Sequence, residues 1–369
     1  MAWSADGSSL IYNELHGVNT HLYEIDTEDG TTKALTDNTG VRRAQAYSAD
    51  AGTVAYIVED HLSPRDVYVS DLSFSNPVRI TDTNPWVRED RTISPGEVLD
   101  WEGKDGMPIE GIYYPPVRQG RSSGKDPLIV FIHGGPAAAW EASFREDFQI
   151  ITNAGYAILA PNPRGSQGYG DEFLQALRGE VGDGEFIDMM NGVDYVIANR
   201  NVDPDRLGIS GWSWGGVATS YAVTQTGRFK AASIGAMVGN WSAETGPGFN
   251  FDVALWYIGG TPWDNPEEWA KRSSITHVEN VTTPSIIFHG GDDTTSSVGQ
   301  SLMFFTALRD IGKAPARYVK FPRQGHGVEE PRLMRILYAS ELQWFKKYID
   351  GVDWKIPSPT FKGVGSNYR

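Results

Sequence analysis

Beyond residue 97 the chain alternates short apolar runs with longer stretches whose apolar residues recur every three or four positions. The apolar runs fall at residues 128–132, 156–160, 207–210, 231–234, 285–288 and 316–321. Runs this short, bounded by glycine, proline or charge, predict buried strands. Between them Phe186, Met190, Val193 and Ile197 keep helical spacing, as do Leu333, Leu337, Trp344 and Tyr348 near the end. Strand–helix alternation of this kind predicts an α/β domain with a mostly parallel sheet covered by helices on both faces. Residues 97–101 and 109–113 flank Gly103-Lys104-Asp105-Gly106, a hairpin that opens the domain.

The first quarter has another rhythm. Residues 3–12 align without gaps on 47–56, placing Trp3 on Tyr47, Ser4 on Ser48 and Tyr12 on Tyr56. Leu22-Tyr23-Glu24-Ile25-Asp26 then matches Val67-Tyr68-Val69-Ser70-Asp71, and Leu35-Thr36-Asp37 matches Ile80-Thr81-Asp82. A repeat of about 44 residues, built of short alternating strands and turn residues, predicts β-propeller-like blades. Propellers carry roughly four to eight blades and this segment holds about two. Trp3 already lies inside a blade unit, so the expectation is a fragment of a longer array. Unclosed blades expose strand edges, which predicts a homo-oligomer joined through residues 3–87 unless the blades fold back on the α/β domain that follows. The proline- and charge-rich stretch that follows reads as a linker. The expected boundaries are 1–87 for the blades, 88–96 for the linker, 97–355 for the catalytic domain and 356–369 for a tail.

A net charge of −15 argues against nucleic acid or an anionic membrane surface as partner, because either would repel the chain. No cysteine is present, so disulfides and cysteine-ligated metals are excluded, and no cofactor is called for. Residues 1–6 have neither a basic stretch nor an apolar core, and no apolar run reaches membrane-spanning length. A cytoplasmic location is therefore expected.

Gly211-Trp212-Ser213-Trp214-Gly215 follows one predicted strand and opens a helix-compatible segment. That is the setting of a nucleophile elbow, where a strained turn lifts the serine hydroxyl into a cleft. A serine hydroxyl needs a base and an orienting acid, which in the α/β-hydrolase fold follow in the order acid, then histidine. Of the histidines beyond Ser213, which are His277, His289 and His326, only His326 follows His289-Gly290-Gly291-Asp292-Asp293. Chain order therefore selects Ser213, His326 and either Asp292 or Asp293, leaving His289 as a hydrogen-bonding residue at a strand end. Oxyanion donors are expected from the Trp214 N–H and from the glycine-rich loop His133-Gly134-Gly135-Pro136. Between residues 239 and 277 lie Trp241, Phe249, Phe251, Trp256, Tyr257, Trp263 and Trp269. Of these, Trp241, Trp256 and Tyr257 are candidates to line an apolar substrate pocket, the alternative being core packing. Arg164 is a candidate to hold a substrate carbonyl or carboxylate, or else a structural ion pair.

From residue 96 onward the chain resembles the prolyl oligopeptidase family, especially its acylaminoacyl-peptidase and dipeptidyl-peptidase-like bacterial members. The resemblance rests on residues 133–136, Asn162-Pro163-Arg164-Gly165-Ser166-Gln167-Gly168-Tyr169-Gly170, residues 211–216, residues 259–267 and Gly325-His326-Gly327. It implies Asp293 as the acid, as the fifth residue of His-Gly-x-x-Asp, and the N–H groups of Gly135 and Trp214 as oxyanion donors. It also implies a serine peptidase that cleaves peptide or acyl-aminoacyl bonds through an acyl-enzyme. Where the family commonly has Val-Pro two residues after the acid, this chain has Ser296-Ser297, a more polar loop. The remaining blades offer no glutamate pair to hold a substrate amino terminus, so dipeptidyl specificity is the least supported of the family's activities. A carboxylesterase acting on short acyl esters, and a non-catalytic binding or assembly module, are the alternatives in other classes.

Overall fold

The computed structural model describes residues 1–4, 7–48, 52–118, 124–246 and 251–356. Five residues of the repeat (Ala5, Asp6, Ala49, Asp50 and Ala51), Phe249 of the aromatic segment, and the tail from 357 lie outside the described residues. Among the described residues, sixteen strands form two eight-stranded sheets.

The first sheet holds β1 (Ala2–Trp3), β2 (Ser9–His16), β3 (Asn19–Asp26), β4 (Thr32–Ala34), β5 (Val41–Tyr47), β6 (Val54–Glu59), β7 (Asp66–Ser70) and β8 (Val78–Arg79). Strands β1 to β4 pair antiparallel in sequence order, and so do β5 to β8. One parallel pair, Thr20 beside Val41, joins the two quartets. Each copy of the repeat is thus one four-stranded antiparallel unit. Leu22 of the first unit shares a buried cluster with Val54, Tyr56 and Phe74 of the second.

This sheet packs on its own catalytic domain, the alternative to self-association weighed above. Val18 is buried in the catalytic domain's core. The Gly17 N–H donates to Gly168 O (2.8 Å), and the Ala142 N–H to Val18 O (2.6 Å). Glu141 accepts from Thr20 Oγ1 at 2.5 Å and forms an ion pair with Arg43. His61 Nδ1 meets the Tyr114 hydroxyl at 2.8 Å. The expected linker is also anchored. Pro85 starts a short helix (Pro85–Asp90), consistent with a residue whose fixed φ suits a first helical turn. Buried Ser94 exchanges two hydrogen bonds with Gln149, its N–H donating to Oε1 (2.8 Å) and its carbonyl accepting from Nε2 (3.0 Å).

The second sheet holds β9 (Glu97–Glu102), β10 (Pro108–Tyr114), β11 (Asp126–Ile132), β12 (Ala157–Asn162), β13 (Val202–Trp212), β14 (Phe229–Gly235), β15 (Ser285–Gly290) and β16 (Ala316–Phe321). Their order across the sheet is β9-β10-β12-β11-β13-β14-β15-β16, with the six strands from β12 to β16 parallel and β9 and β10 antiparallel at one edge. Every predicted strand is present. Strand β13 starts earlier than the apolar run suggests, because Val202 pairs with Asp126 before a register shift carries the ladder on to Leu207. One face packs on the helices Asp183–Asn199, Trp214–Gln225 and Val298–Ile311, and the other on Glu146–Asn153 and Pro331–Tyr348. No helix among the described residues is long and apolar enough to cross a membrane.

The contact between the sheets is close enough to test. Gly168 has φ +92°, and a Cβ there would lie 2.8 Å from Gly17 O and 2.9 Å from Leu15 Cγ. Gly168→Val is expected to lift the first four-stranded unit from the catalytic domain and speed tryptic cleavage at Lys33, Arg42 or Arg43. A cleavage rate equal to that of the parent protein would show that this contact does not hold the unit in place.

Candidate active site

Ser213 sits between β13 and the helix Trp214–Gln225 with φ 60° and ψ −121°, a conformation that costs a side-chain-bearing residue about 1–3 kcal/mol. The turn leaves no room for larger neighbours. A Cβ on Gly215 would lie 2.1 Å from Ile132 O. The Ser213 N–H donates to Gly235 O (3.0 Å), which pins the turn to β14.

Two loops bring partners to the hydroxyl. His326, in the loop after β16, places Nε2 2.7 Å from Ser213 Oγ and Nδ1 2.8 Å from Asp293 Oδ2. Trp212 Nε1 donates to His326 O at 2.7 Å and so anchors the loop backbone. Asp293 follows β15 and its side chain is wholly buried. Its Oδ1 accepts the N–H groups of Thr295 (2.8 Å) and Ser296 (3.0 Å), so the polar acid loop supplies donors of its own. His289 Nε2 lies 3.2 Å from Oδ2. Burial alone would raise this carboxyl, but the hydrogen bonds from His289, His326 and the Ser296 N–H hold it well below the usual carboxylate range. Neighbouring Asp292 is exposed, and its N–H donates to Gln324 O at 2.9 Å. The geometry therefore joins Asp293, and not Asp292, to His326.

The loop 133–136 runs directly against the elbow. A Cβ on Gly134 would lie 3.1 Å from Trp212 O and 3.2 Å from Ser213 Cβ. Among the described residues, neither the Gly135 N–H nor the Trp214 N–H donates to a protein acceptor. His133 is fixed by a 2.9 Å contact between Nε2 and Ser166 Oγ, and its burial pushes the imidazole down to about 4. It is therefore a neutral wall near pH 7.

A family model described as the prolyl oligopeptidase family matches residues 142–352, more than half of the chain. The chain belongs to that family. An uncharacterized peptidase of Bacillus subtilis (strain 168), YuxL, is 33% identical over 294 residues, a match covering 78% of this chain and 44% of that protein. The acylaminoacyl peptidase of Pyrococcus horikoshii superposes with a TM-score of 0.85 at 23% identity, over 95% of this chain and 56% of that one. An acylaminoacyl peptidase in complex with Z-Gly-Gly-Phe-chloromethyl ketone gives 0.84 at 24% identity, over 93% and 54%. At these identities the structural likeness speaks for the fold. The chain spans about half the length of the proteins it matches.

Within this prolyl oligopeptidase fold the aromatic residues divide. Trp241 and Tyr257 are buried against Trp214, with ring centroids 5.5 and 5.4 Å away. Trp256, expected beside them, is 51% exposed and lies under the Arg178 guanidinium at 4.8 Å, so it does not reach the elbow. Trp269 is wholly buried against Phe251, whereas Trp263 is 73% exposed. Glu185, which carries no motif, lies beneath the elbow helix. It accepts from Trp214 Nε1 (2.8 Å) and the Gly182 N–H (2.9 Å), and its burial pushes the carboxyl up to about 7 against both bonds.

Arg164 is turned away from the substrate role first considered. Its Nε and Nη2 grip the two oxygens of Asp188 at 2.7 and 2.8 Å, and Nη2 also donates to Lys104 O at 2.9 Å. Asp188 is completely buried and also receives the Lys104 N–H at 2.8 Å. A fork gripping a buried carboxylate through two parallel bonds in this way is held as a structural ion pair. Arg164→Met should cost about 3–5 kcal/mol in urea denaturation, because the Asp188 charge would stay buried without its partner. A raised KM with unchanged stability would instead return Arg164 to the substrate.

Proposed function

We infer that this chain is a serine hydrolase that cleaves peptide or acyl-aminoacyl bonds through an acyl-enzyme. The observation that carries the reading is the unbroken series of hydrogen bonds from Asp293 through His326 to Ser213. With Nε2 already 2.7 Å from the hydroxyl, His326 takes the proton as Ser213 Oγ attacks the acyl carbon. The imidazolium so formed lies beside the Asp293 carboxylate, which stays ionised and fixes the ring. Gly135 and Trp214 supply the N–H groups for the oxyanion. His326 then returns the proton to the leaving amine, and water repeats the sequence to free the acid. Family membership supports a peptide substrate, as does the peptidyl chloromethyl ketone held by one structural neighbour. Trp241 and Tyr257 pack with Trp214 in a buried cluster beside Ser213, which fits the core-packing alternative weighed for them.

A matched panel of p-nitrophenyl esters and aminoacyl or peptidyl p-nitroanilides tests both the machinery and the substrate class. Turnover of short esters is expected to exceed that of the anilides, since an ester leaving group needs less help, but anilides should be cleaved by the same site. Ser213→Ala and His326→Ala should each lower kcat on the order of a millionfold, because such groups act as a unit. Asp293→Asn should cost about ten-thousandfold through the wrong imidazole tautomer, and Asp292→Asn far less. Turnover of esters alone would replace the peptidase with a carboxylesterase. An Asp292→Asn loss exceeding that of Asp293→Asn would overturn the choice of acid.

Folding back on the catalytic domain uses residues 17–20, 43 and 61 and leaves the end strands of the N-terminal sheet outside that contact, so we still propose self-association through those ends. The end strands β1 and β8 each have one unpaired edge, and Trp3, Val78 and Ile80 are 61%, 61% and 57% exposed there. A twofold dimer through these edges is expected, with the catalytic domains outward. Light scattering that returns the mass of one chain across a wide concentration range would rule it out.

A further inference from the structure

The acid of the site faces two imidazoles, only one of which the proposed mechanism uses. His289, the last residue but one of β15, is wholly buried. Its Nε2 lies 3.0 Å from Ser296 O and 3.2 Å from Asp293 Oδ2. Both atoms are acceptors, so Nε2 must carry a proton and share it between them. The opposite nitrogen, Nδ1, shares a 2.6 Å hydrogen bond with Ser301 Oγ. Ser301 is itself wholly buried, in the helix Val298–Ile311. The ring is therefore locked from both ends. Its proton reaches the same carboxylate oxygen that His326 Nδ1 contacts at 2.8 Å.

We propose that His289 is a positioning residue of the site: with Ser301 behind it, it fixes the Asp293 carboxylate in the rotation that presents Oδ2 to His326. The inference rests on the reading of Asp293 as the orienting acid. The physical reason is geometric. The Thr295 and Ser296 N–H groups resist rotation about the Cβ–Cγ bond from Oδ1 only, so how stiffly Oδ2 is aimed at His326 depends also on the donors at Oδ2 itself. A second donor on Oδ2 beside His326 Nδ1 stiffens that aim. The Ser296 peptide takes part twice, since its N–H binds Oδ1 while its carbonyl shares the His289 proton. Strand end, acid loop and helix are thus tied at one carboxylate, with no contact between His289 and the substrate.

The test compares two replacements of His289 in the full chain, assayed on one ester and one anilide with the active fraction titrated. His289→Gln keeps an N–H near the Nε2 position and should stay within a few-fold of the parent. His289→Leu fills similar space without a donor and should lower kcat by about a hundredfold with KM little changed, the scale expected when a reacting group is misplaced by about 1 Å. The low-field proton resonance of the His326–Asp293 hydrogen bond should weaken or shift in His289→Leu and persist in His289→Gln. In an Asp293→Asn background, His289→Leu should add little further loss. If His289→Leu does not accumulate folded, Ser301→Ala takes its place, with a several-fold fall in kcat that vanishes in the Asp293→Asn background. The proposal is overturned by an unchanged kcat in the variant measured, by an equal loss in the Asp293→Asn background, or by a Gln variant as impaired as Leu. Full activity in Asp293→Asn itself would strike at the proposed mechanism instead, so the two failures are distinguishable.

Discussion

The site depends first on a backbone turn that protein chains normally avoid. Ser213 holds φ 60° because the sheet around it leaves no alternative: β13 lies between β11 and β14, both parallel to it. The Gly215 backbone passes so near Ile132 O that only a hydrogen fits where a Cβ would be. The Ser213 N–H is then used on Gly235. Local strain of this size persists only when the surroundings over-determine it. Parallel neighbours also end at the same edge of the sheet, so the loops after β15 and β16 emerge beside the elbow. That is how residues 213, 293 and 326, far apart in the chain, come within hydrogen-bond reach of each other.

Two buried aspartates show how the chain spends its charges. Asp188 is neutralised by the Arg164 fork and ties the hairpin of β9 and β10 to the helix Asp183–Asn199. Among the described residues no guanidinium pairs with Asp293. Two imidazoles and two backbone N–H groups serve instead, and hydrogen bonds of this kind stabilise the charged form without cancelling its charge. The difference matters for chemistry. A carboxylate closed off by arginine is a fixture of the architecture, whereas one held by hydrogen bonds keeps its negative charge available to a neighbouring ring that gains a proton.

Much of this was legible in the sequence because it rests on local pattern. The apolar runs located every central strand, and the elbow, the acid loop and the His326 loop carry spacings that follow from their turns. Chain order left Asp292 and Asp293 open, since both follow the same strand end; the family resemblance implied Asp293, and the burial of one and exposure of the other separate them in the structure. Whether Arg164 meets substrate or a structural partner stayed open in the sequence because that partner lies 24 positions on, in a helix whose sequence gives no sign of the pairing. Trp256 and Tyr257 are adjacent, and on a helix adjacent residues face different directions, so one packs against Trp214 while the other meets solvent. His289 carried a motif but not its second contact, which arises only when the loop after β15 folds back over the strand end.

The N-terminal sheet bears on the site through the loop that contains Gly135. Downstream of that glycine, Trp140 is clamped by Asn162, its N–H donating to Oδ1 (2.7 Å) and its carbonyl accepting from Nδ2 (3.0 Å). One residue on, Glu141 is bound by Thr20 and Arg43 of the N-terminal sheet. Asn162 also receives support from the Tyr169 hydroxyl, which donates in turn to Glu110. The two clamps act in series. Releasing the sheet frees Glu141 first, and the Asn162 clamp still stands between that release and Gly135. The N-terminal units therefore act on this loop as an outer brace, and their influence on the proposed oxyanion donor Gly135 is limited by how firmly Asn162 holds Trp140.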